Sequence, residues 1–72
     1  MTIKRRDFDL LDGLHASGHS YIAASEAADA LRLAEDGLVK IWQTGTGFSA
    51  WQLTEYGKMR VEHAKAMHEA IV

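Results

Sequence analysis

Leu38-Val39-Lys40-Ile41-Trp42-Gln43-Thr44 and Phe48-Ser49-Ala50-Trp51-Gln52-Leu53, joined by Gly45-Thr46-Gly47, form the stretch that decides the fold. Both runs alternate in the way that half-buried strands do. The glycines beside Thr46 can adopt the positive φ angles that hairpin turns need. The stretch therefore predicts a β-hairpin with two different faces. Val39, Ile41, Trp51 and Leu53 lie on one face, and Lys40, Trp42, Phe48 and Ala50 lie on the other.

Helical patterns lie on both sides of this hairpin. Residues 4–17 carry Phe8, Leu11 and Leu14 at helical spacing, and Gly18 follows as a stop. Residues 20–23 have strand character. Ser25 then predicts the N-cap of a second helix, at about Glu26–Asp36, which Gly37 ends.

Thr54 predicts the N-cap of a last helix at about Glu55–Ala70, with an inner stripe of Val61, Ala64, His68 and Ile71. These elements together predict an α+β fold in the order α-β-α-β-β-α. The length of 72 residues fits one domain, over residues 1–72.

Composition excludes several classes of protein. The chain has no cysteine, which rules out disulfides and thiolate metal sites, and it has no apolar run long enough for a signal peptide or a membrane span. We expect a cytoplasmic protein without a membrane partner. The pairs His15/His19 and His63/His68 lack a third ligand, so we expect no metal. No phosphate loop or nucleophile signature is present, so we expect no enzyme, cofactor or small-molecule substrate.

The stretch from Glu35-Asp36-Gly37-Leu38-Val39 through Trp51-Gln52-Leu53-Thr54-Glu55-Tyr56-Gly57 resembles the winged-helix domains of bacterial regulators. In that family a recognition helix ends in a Gly-Leu-Val/Ile step into a wing hairpin. The second wing strand ends in a Leu-Thr-x-x-Gly turn that opens a helix. The resemblance covers roughly residues 20–60. The chain departs from the family at residues 19–37, where there is room for a strand and one helix instead of two helices.

Charge separates two hypotheses for the function. The formal net charge is −2, and the second helix carries four acidic residues against Arg32, a net of −3 that phosphates would repel. The wing tip has no Arg or Lys. The first hypothesis is therefore a protein-binding regulator or inhibitor on a reduced winged helix. In size and style it is similar to small phage or mobile-element proteins that block a host protein, such as anti-CRISPR inhibitors.

Candidate residues follow from each hypothesis. Protein contacts, to a host or cellular protein or to a second copy of the chain, would use Glu26, Asp29, Glu35, Asp36, Trp42 and Phe48. The alternative is a winged-helix DNA-binding transcriptional regulator, with weak contacts from Lys4, Arg5, Arg6, Arg32 and Lys40. Ordinary solvated surface is the competing interpretation for each set.

Overall fold

Three helices pack on a three-stranded antiparallel sheet in a computed structural model that describes residues 2–72. The helices are α1 (Arg5–Ser17), α2 (Ala27–Glu35) and α3 (Glu55–Ala66). The strands are β1 (Thr2–Ile3), β2 (His19–Tyr21), β3 (Val39–Gln43), β4 (Ser49–Leu53) and β5 (Ala70–Ile71). The predicted α+β class and the order α-β-α-β-β-α of the main elements are confirmed.

The hairpin register agrees with the predicted alternation. Strand β4 lies at the centre of the sheet, in the order β2-β4-β3. Val39 pairs with Leu53, and Ile41 pairs with Trp51, so these four side chains share one face. On the third strand, Ser20 pairs with Trp51 and its hydroxyl accepts a hydrogen bond from the indole Nε1, at 3.1 Å.

The core lies between this inner face of the sheet and the helices. Trp51 is 2% exposed and packs in one cluster with residues from all three helices: Leu11, Leu14, Ala30, Leu33 and Val61. The helices thus form a second layer on one side of the sheet. No helix in residues 2–72 is both long enough and apolar enough to cross a membrane.

The step from α2 into β3 is fixed by a helix stop at Gly37, as predicted. Gly37 has φ 78°, and its N–H donates to the carbonyl of Ala34 at 3.0 Å. The Leu38 N–H donates to the carbonyl of Leu33, also at 3.0 Å. These two hydrogen bonds form a Schellman motif, which turns the chain sharply and sets the start of the hairpin.

The start of α3 depends on Thr54 and Gly57. The Thr54 hydroxyl accepts a hydrogen bond from the Gly57 N–H at 3.0 Å and donates to the Gly37 carbonyl at 2.6 Å. A Cβ on Gly57 would lie 2.0 Å from the Leu38 carbonyl oxygen. The helix can therefore approach the α2–β3 junction only because residue 57 has no side chain.

The N-terminal boundary of the second helix differs from the prediction, because Ser25 is not its N-cap. A 3₁₀ turn at Ala24–Glu26 precedes α2, and the Glu26 side chain accepts the Ala23 N–H at 3.0 Å. Glu26 thus accepts from the Ala23 N–H, which has no partner within the turn itself. Ser25 lies inside the turn and does not cap it.

The predicted C-terminal boundary of the last helix was wrong. Helix α3 stops at Ala66, because His68 adopts φ 51° and the Glu69 N–H turns back to the Ala64 carbonyl at 3.0 Å. Ile71 lies in β5, which pairs in parallel with β1, and His68 is exposed. Neither residue therefore belongs to an inner helical stripe. The Glu69 carboxylate holds this end through two hydrogen bonds from Arg60, at 2.6 and 3.0 Å.

Candidate functional site

The side of the sheet opposite the core carries a distinctive set of side chains, which we call the outer face. Strand pairing places His19, Gln52 and Lys40 in one row and Tyr21, Ala50 and Trp42 in the next. Phe48 immediately precedes β4 and stands beside Tyr21. The outer face thus consists of His19, Tyr21, Lys40, Trp42, Phe48, Ala50 and Gln52.

Three large aromatic rings on the outer face are open to solvent. Tyr21 is 62% exposed, Phe48 is 61% exposed and Trp42 is 38% exposed. The Tyr21 and Phe48 rings lie 5.9 Å apart in a tilted arrangement, within the range of favourable aromatic pairs. Clustered exposed aromatics of this kind are typical of contact surfaces, because burying them on binding releases water from a large apolar area.

The Trp42 side chain leans across the sheet. Its ring centroid lies 6.4 Å from that of His19, although their strands are separated by β4. The small side chain of Ala50 on the central strand leaves room for the indole, and Ala50 is buried even though it points away from the core. The result is a depression of about 400 Å³ on the outer face, lined by His19, Ser20, Tyr21, Trp42, Thr44 and Ala50.

The outer face carries no carboxylate. Residues 18–25 and 37–54, which contain the three strands of the sheet, include no Asp or Glu, and Lys40 is their one formal charge. All ten acidic residues of the chain lie in other segments. This surface is therefore apolar and slightly basic on a protein whose net charge is negative.

The acidic surface predicted on the second helix is smaller than the sequence indicates. Asp29 accepts hydrogen bonds from Arg6, at 2.6 Å, and from Arg32, at 3.1 Å. The hydrogen bond from Arg6, followed by that from Arg32, lowers the pKa of the Asp29 carboxyl. Glu26 caps the 3₁₀ turn. Of the four acidic residues predicted to form this surface, Glu35 and Asp36 are the exposed ones.

Two of the five basic residues predicted to contact DNA take part in ion pairs within the domain. Arg32 donates to both oxygens of Asp7, at 2.6 and 3.1 Å, and Arg6 also donates to the Ser25 carbonyl, at 2.9 Å. The bonds to Asp7 join α1 to α2 and raise the pKa of the Arg32 guanidinium, and the bond from Arg6 to Asp29 raises the pKa of the Arg6 guanidinium. Arg6 stays exposed despite its ion pair, as do Lys4 and Arg5 at the start of α1 and Lys40 on the outer face.

Sequence reasoning missed His19 and Tyr21 as members of the candidate site. Their segment was assigned strand character at residues 20–23, but strand β2 spans His19–Tyr21. Which of its side chains join Trp42 depends on its register against β4, and no local pattern specifies that register.

Neither a metal cluster nor a related protein adds to this site. Within residues 2–72, no three His, Asp or Glu side chains come together in a way that could hold a metal ion. Comparisons of the chain with protein-family models, with curated proteins and with solved structures give no match.

Proposed function

We propose that this chain is a small protein-binding regulator or inhibitor that contacts its partner through the outer face of the sheet. The observation that carries the proposal is the exposure of Tyr21, Phe48 and Trp42 on a sheet face that no helix covers within residues 2–72. Three exposed aromatic side chains, two of which line the depression, match the composition of binding hot spots, where aromatic residues dominate.

Charge indicates what kind of partner surface would fit. The outer face has no carboxylate, and its one charged side chain is Lys40. An apolar patch with an acidic residue at its rim would bury the rings and meet Lys40 with an opposite charge. The acidic pair Glu35 and Asp36 would provide a second, weaker contact for a basic region elsewhere on the partner.

The scaffold we propose for this function is a reduced winged helix. The Gly37 stop, the hairpin and the close approach at Gly57 are the features in which the chain resembles that family. DNA binding is the weaker alternative. Arg32 is the one basic residue on the helix in the reader position, and its guanidinium is held by Asp7 and Asp29, while Arg6 on α1 is held by Asp29. The exposed cations of the set do not form one patch, since Lys40 lies on the outer face while Lys4, Arg5 and Arg6 lie at the start of a helix of the other layer.

Affinity capture with matched variants tests the proposal. The tagged protein is incubated with cell lysate, with and without nuclease. The double variant Tyr21→Ser/Phe48→Ser is compared with Met59→Ser/Met67→Ser, which removes two equally exposed apolar side chains from the α3 region. We expect a protein partner that survives nuclease, is kept by the methionine variant and is lost by the aromatic variant.

Two results would count against the proposal. If both variants retained the partner, the outer face would not be the contact surface. If nuclease removed every bound component, the DNA-binding alternative would gain support.

A further inference from the structure

Strand β3 lies at the edge of the sheet. Two hydrogen bonds at its ends show which of its residues direct their backbone groups toward β4 and which direct them outward. The Thr44 N–H donates to the Phe48 carbonyl at 2.9 Å, and the Thr54 N–H donates to the Leu38 carbonyl at 3.1 Å. Hydrogen-bonded pairs alternate along an antiparallel ladder, so Lys40 and Trp42 direct their backbone groups toward β4. Val39, Ile41 and Gln43 therefore direct theirs away from the sheet.

Only part of this outward-facing edge is accessible. Val39 is 3% exposed as a whole residue, so its backbone groups are covered. Ile41 is half-buried and Gln43 is exposed. Within residues 2–72 no strand pairs with this edge. Two N–H donors and two carbonyl acceptors, those of Ile41 and Gln43, are thus available to an added strand.

We propose that this edge pairs with β3 of a second copy of the chain, antiparallel and with a two-fold axis at Trp42. In this register Ile41 pairs with the partner's Gln43, and Gln43 pairs with the partner's Ile41. The two pairs make about four backbone hydrogen bonds. Trp42 lies opposite the partner's Trp42 at a non-hydrogen-bonded position, where the two backbones approach most closely, while each indole leans over its own sheet toward His19.

The edge is complementary to itself in this register and in no neighbouring one. A two-fold axis at Ile41 would need the covered backbone groups of Val39. An axis at Gln43 would need the turn residue Gly45 to pair with Ile41 as an extended strand. With the axis at Trp42, Lys40 faces the partner's Thr44, so no like charges meet, and no carboxylate lies in either strand.

Edge pairing of this kind would change the shape of the candidate site. The two sheets would join into one sheet of six strands, with both outer faces on the same side and the indoles at the centre. The seam is short, so its area falls below that of a standard interface, roughly 1,200 Å² or more. We therefore expect a reversible dimer with a Kd of roughly tens to hundreds of micromolar. The dimer does not depend on the proposed function, because it uses the strand edge and needs no other partner.

A charge-swap experiment tests both the dimer and its register. Sedimentation velocity of the wild type over a concentration series is expected to show monomer and dimer, with a dimer share that grows with concentration. Trp42→Lys alone and Trp42→Glu alone place like charges opposite each other, which should weaken the dimer at least tenfold. An equimolar mixture of the two should restore association as a heterodimer.

Tyr21→Lys is the matched control, because it adds the same charge to the same face on the opposite edge strand. We expect it to leave the dimer unchanged, and the far-ultraviolet spectrum of each variant checks its fold. A wild type that stays monomeric at about 1 mM would overturn the proposal. So would a dimer that survives Trp42→Lys, or a mixture of the Lys and Glu variants that fails to associate. Association through the β3 edge with an added extended peptide but not with itself would reassign the edge to a foreign strand.

Discussion

Replacing Gly57 with alanine is expected to destabilise the domain, although alanine is the better helix former. Gly57 lies in the first turn of α3 and is buried against the α2–β3 junction. An added Cβ would lie 2.0 Å from the Leu38 carbonyl oxygen, 3.0 Å from the Leu38 carbonyl carbon and 3.2 Å from Leu53 Cδ2. The first two atoms belong to the backbone, so no side-chain rotation can relieve the clash.

The expected change in the free energy of unfolding combines two unfavourable contributions and one favourable one. The helix must retreat by more than 1 Å to restore ordinary contact, and overpacking of this kind costs about 1–3 kcal/mol. The retreat also strains the Thr54 N–H bond to the Leu38 carbonyl, worth about 1 kcal/mol. The higher helix propensity of alanine offsets about 1 kcal/mol of this loss. The net loss is about 1–3 kcal/mol, a large share of the roughly 4–11 kcal/mol expected for 72 residues.

Urea titrations of three proteins provide the measurement: the wild type, Gly57→Ala and Gly13→Ala. Gly13 is the matched control, because it lies inside α1 and an added Cβ there meets nothing within 4 Å. We expect Gly13→Ala to stabilise the domain by about 0.5–1 kcal/mol, since propensity acts there without a clash. If Gly57→Ala were as stable as the wild type or more so, the close approach of α3 to Leu38 would be refuted.

Other substitutions test the core, the acid response and the C-terminal turn. Trp51→Ala should cost about 3–5 kcal/mol because the ring is 2% exposed, while Trp42→Ala should cost clearly less because Trp42 is 38% exposed; the reverse ranking would mean that the faces are assigned backwards. The hydrogen bond from Arg60 lowers the pKa of Glu69, so its stabilising effect is complete above the ordinary pKa of a glutamate in the unfolded chain and is lost as pH falls through the lower folded-state pKa. Glu69→Gln should therefore lower the urea midpoint at pH 7 and flatten its fall toward pH 3, and an unchanged pH profile would contradict this. His68→Gly should raise the free energy of unfolding by up to about 1 kcal/mol, because His68 has a positive φ; a lower free energy of unfolding would show that the histidine side chain stabilises the turn.

The parts of the fold that were predictable from sequence are those with local signals. The hairpin follows from alternation on both sides of a glycine turn, and the start of α3 follows from Thr54 and from Gly57 three residues later. Each signal lies within a few residues of the structure it specifies, so neighbouring atoms decide the outcome.

The features that could not be predicted depend on residues far apart in the chain. Strands β1 and β5 contain two residues each, too few to show a period, and they pair across nearly the whole chain. The bidentate bond from Arg32 to Asp7 joins residues 25 positions apart. After α3 ends at Ala66, the residue with positive φ is His68 instead of the glycine that usually marks a helix stop. The sequence pattern therefore predicted a helix that continued past the true end.

The same long-range dependence explains why the candidate site is only partly readable from sequence. Trp42 and Phe48 could be placed on one face because both lie in the hairpin. His19 and Tyr21 join them only through pairing of β2 with β4, about 30 residues later in the chain. A binding surface built from three strands therefore needs the sheet order, whereas a surface on one hairpin does not.

The rings of Tyr21 and Phe48 contribute little to holding the fold together. A domain of 72 residues has enough helix for one layer, and all three helices pack on the inner face around Trp51. Polar side chains on the outer face would satisfy the same strand pairing, and an exposed ring contributes little burial to stability. Since Tyr21 and Phe48 are more than half exposed, the folded monomer gains little from them. Their apolar area becomes useful when a second surface covers it, which is the physical reason to look for the partner on this side of the sheet.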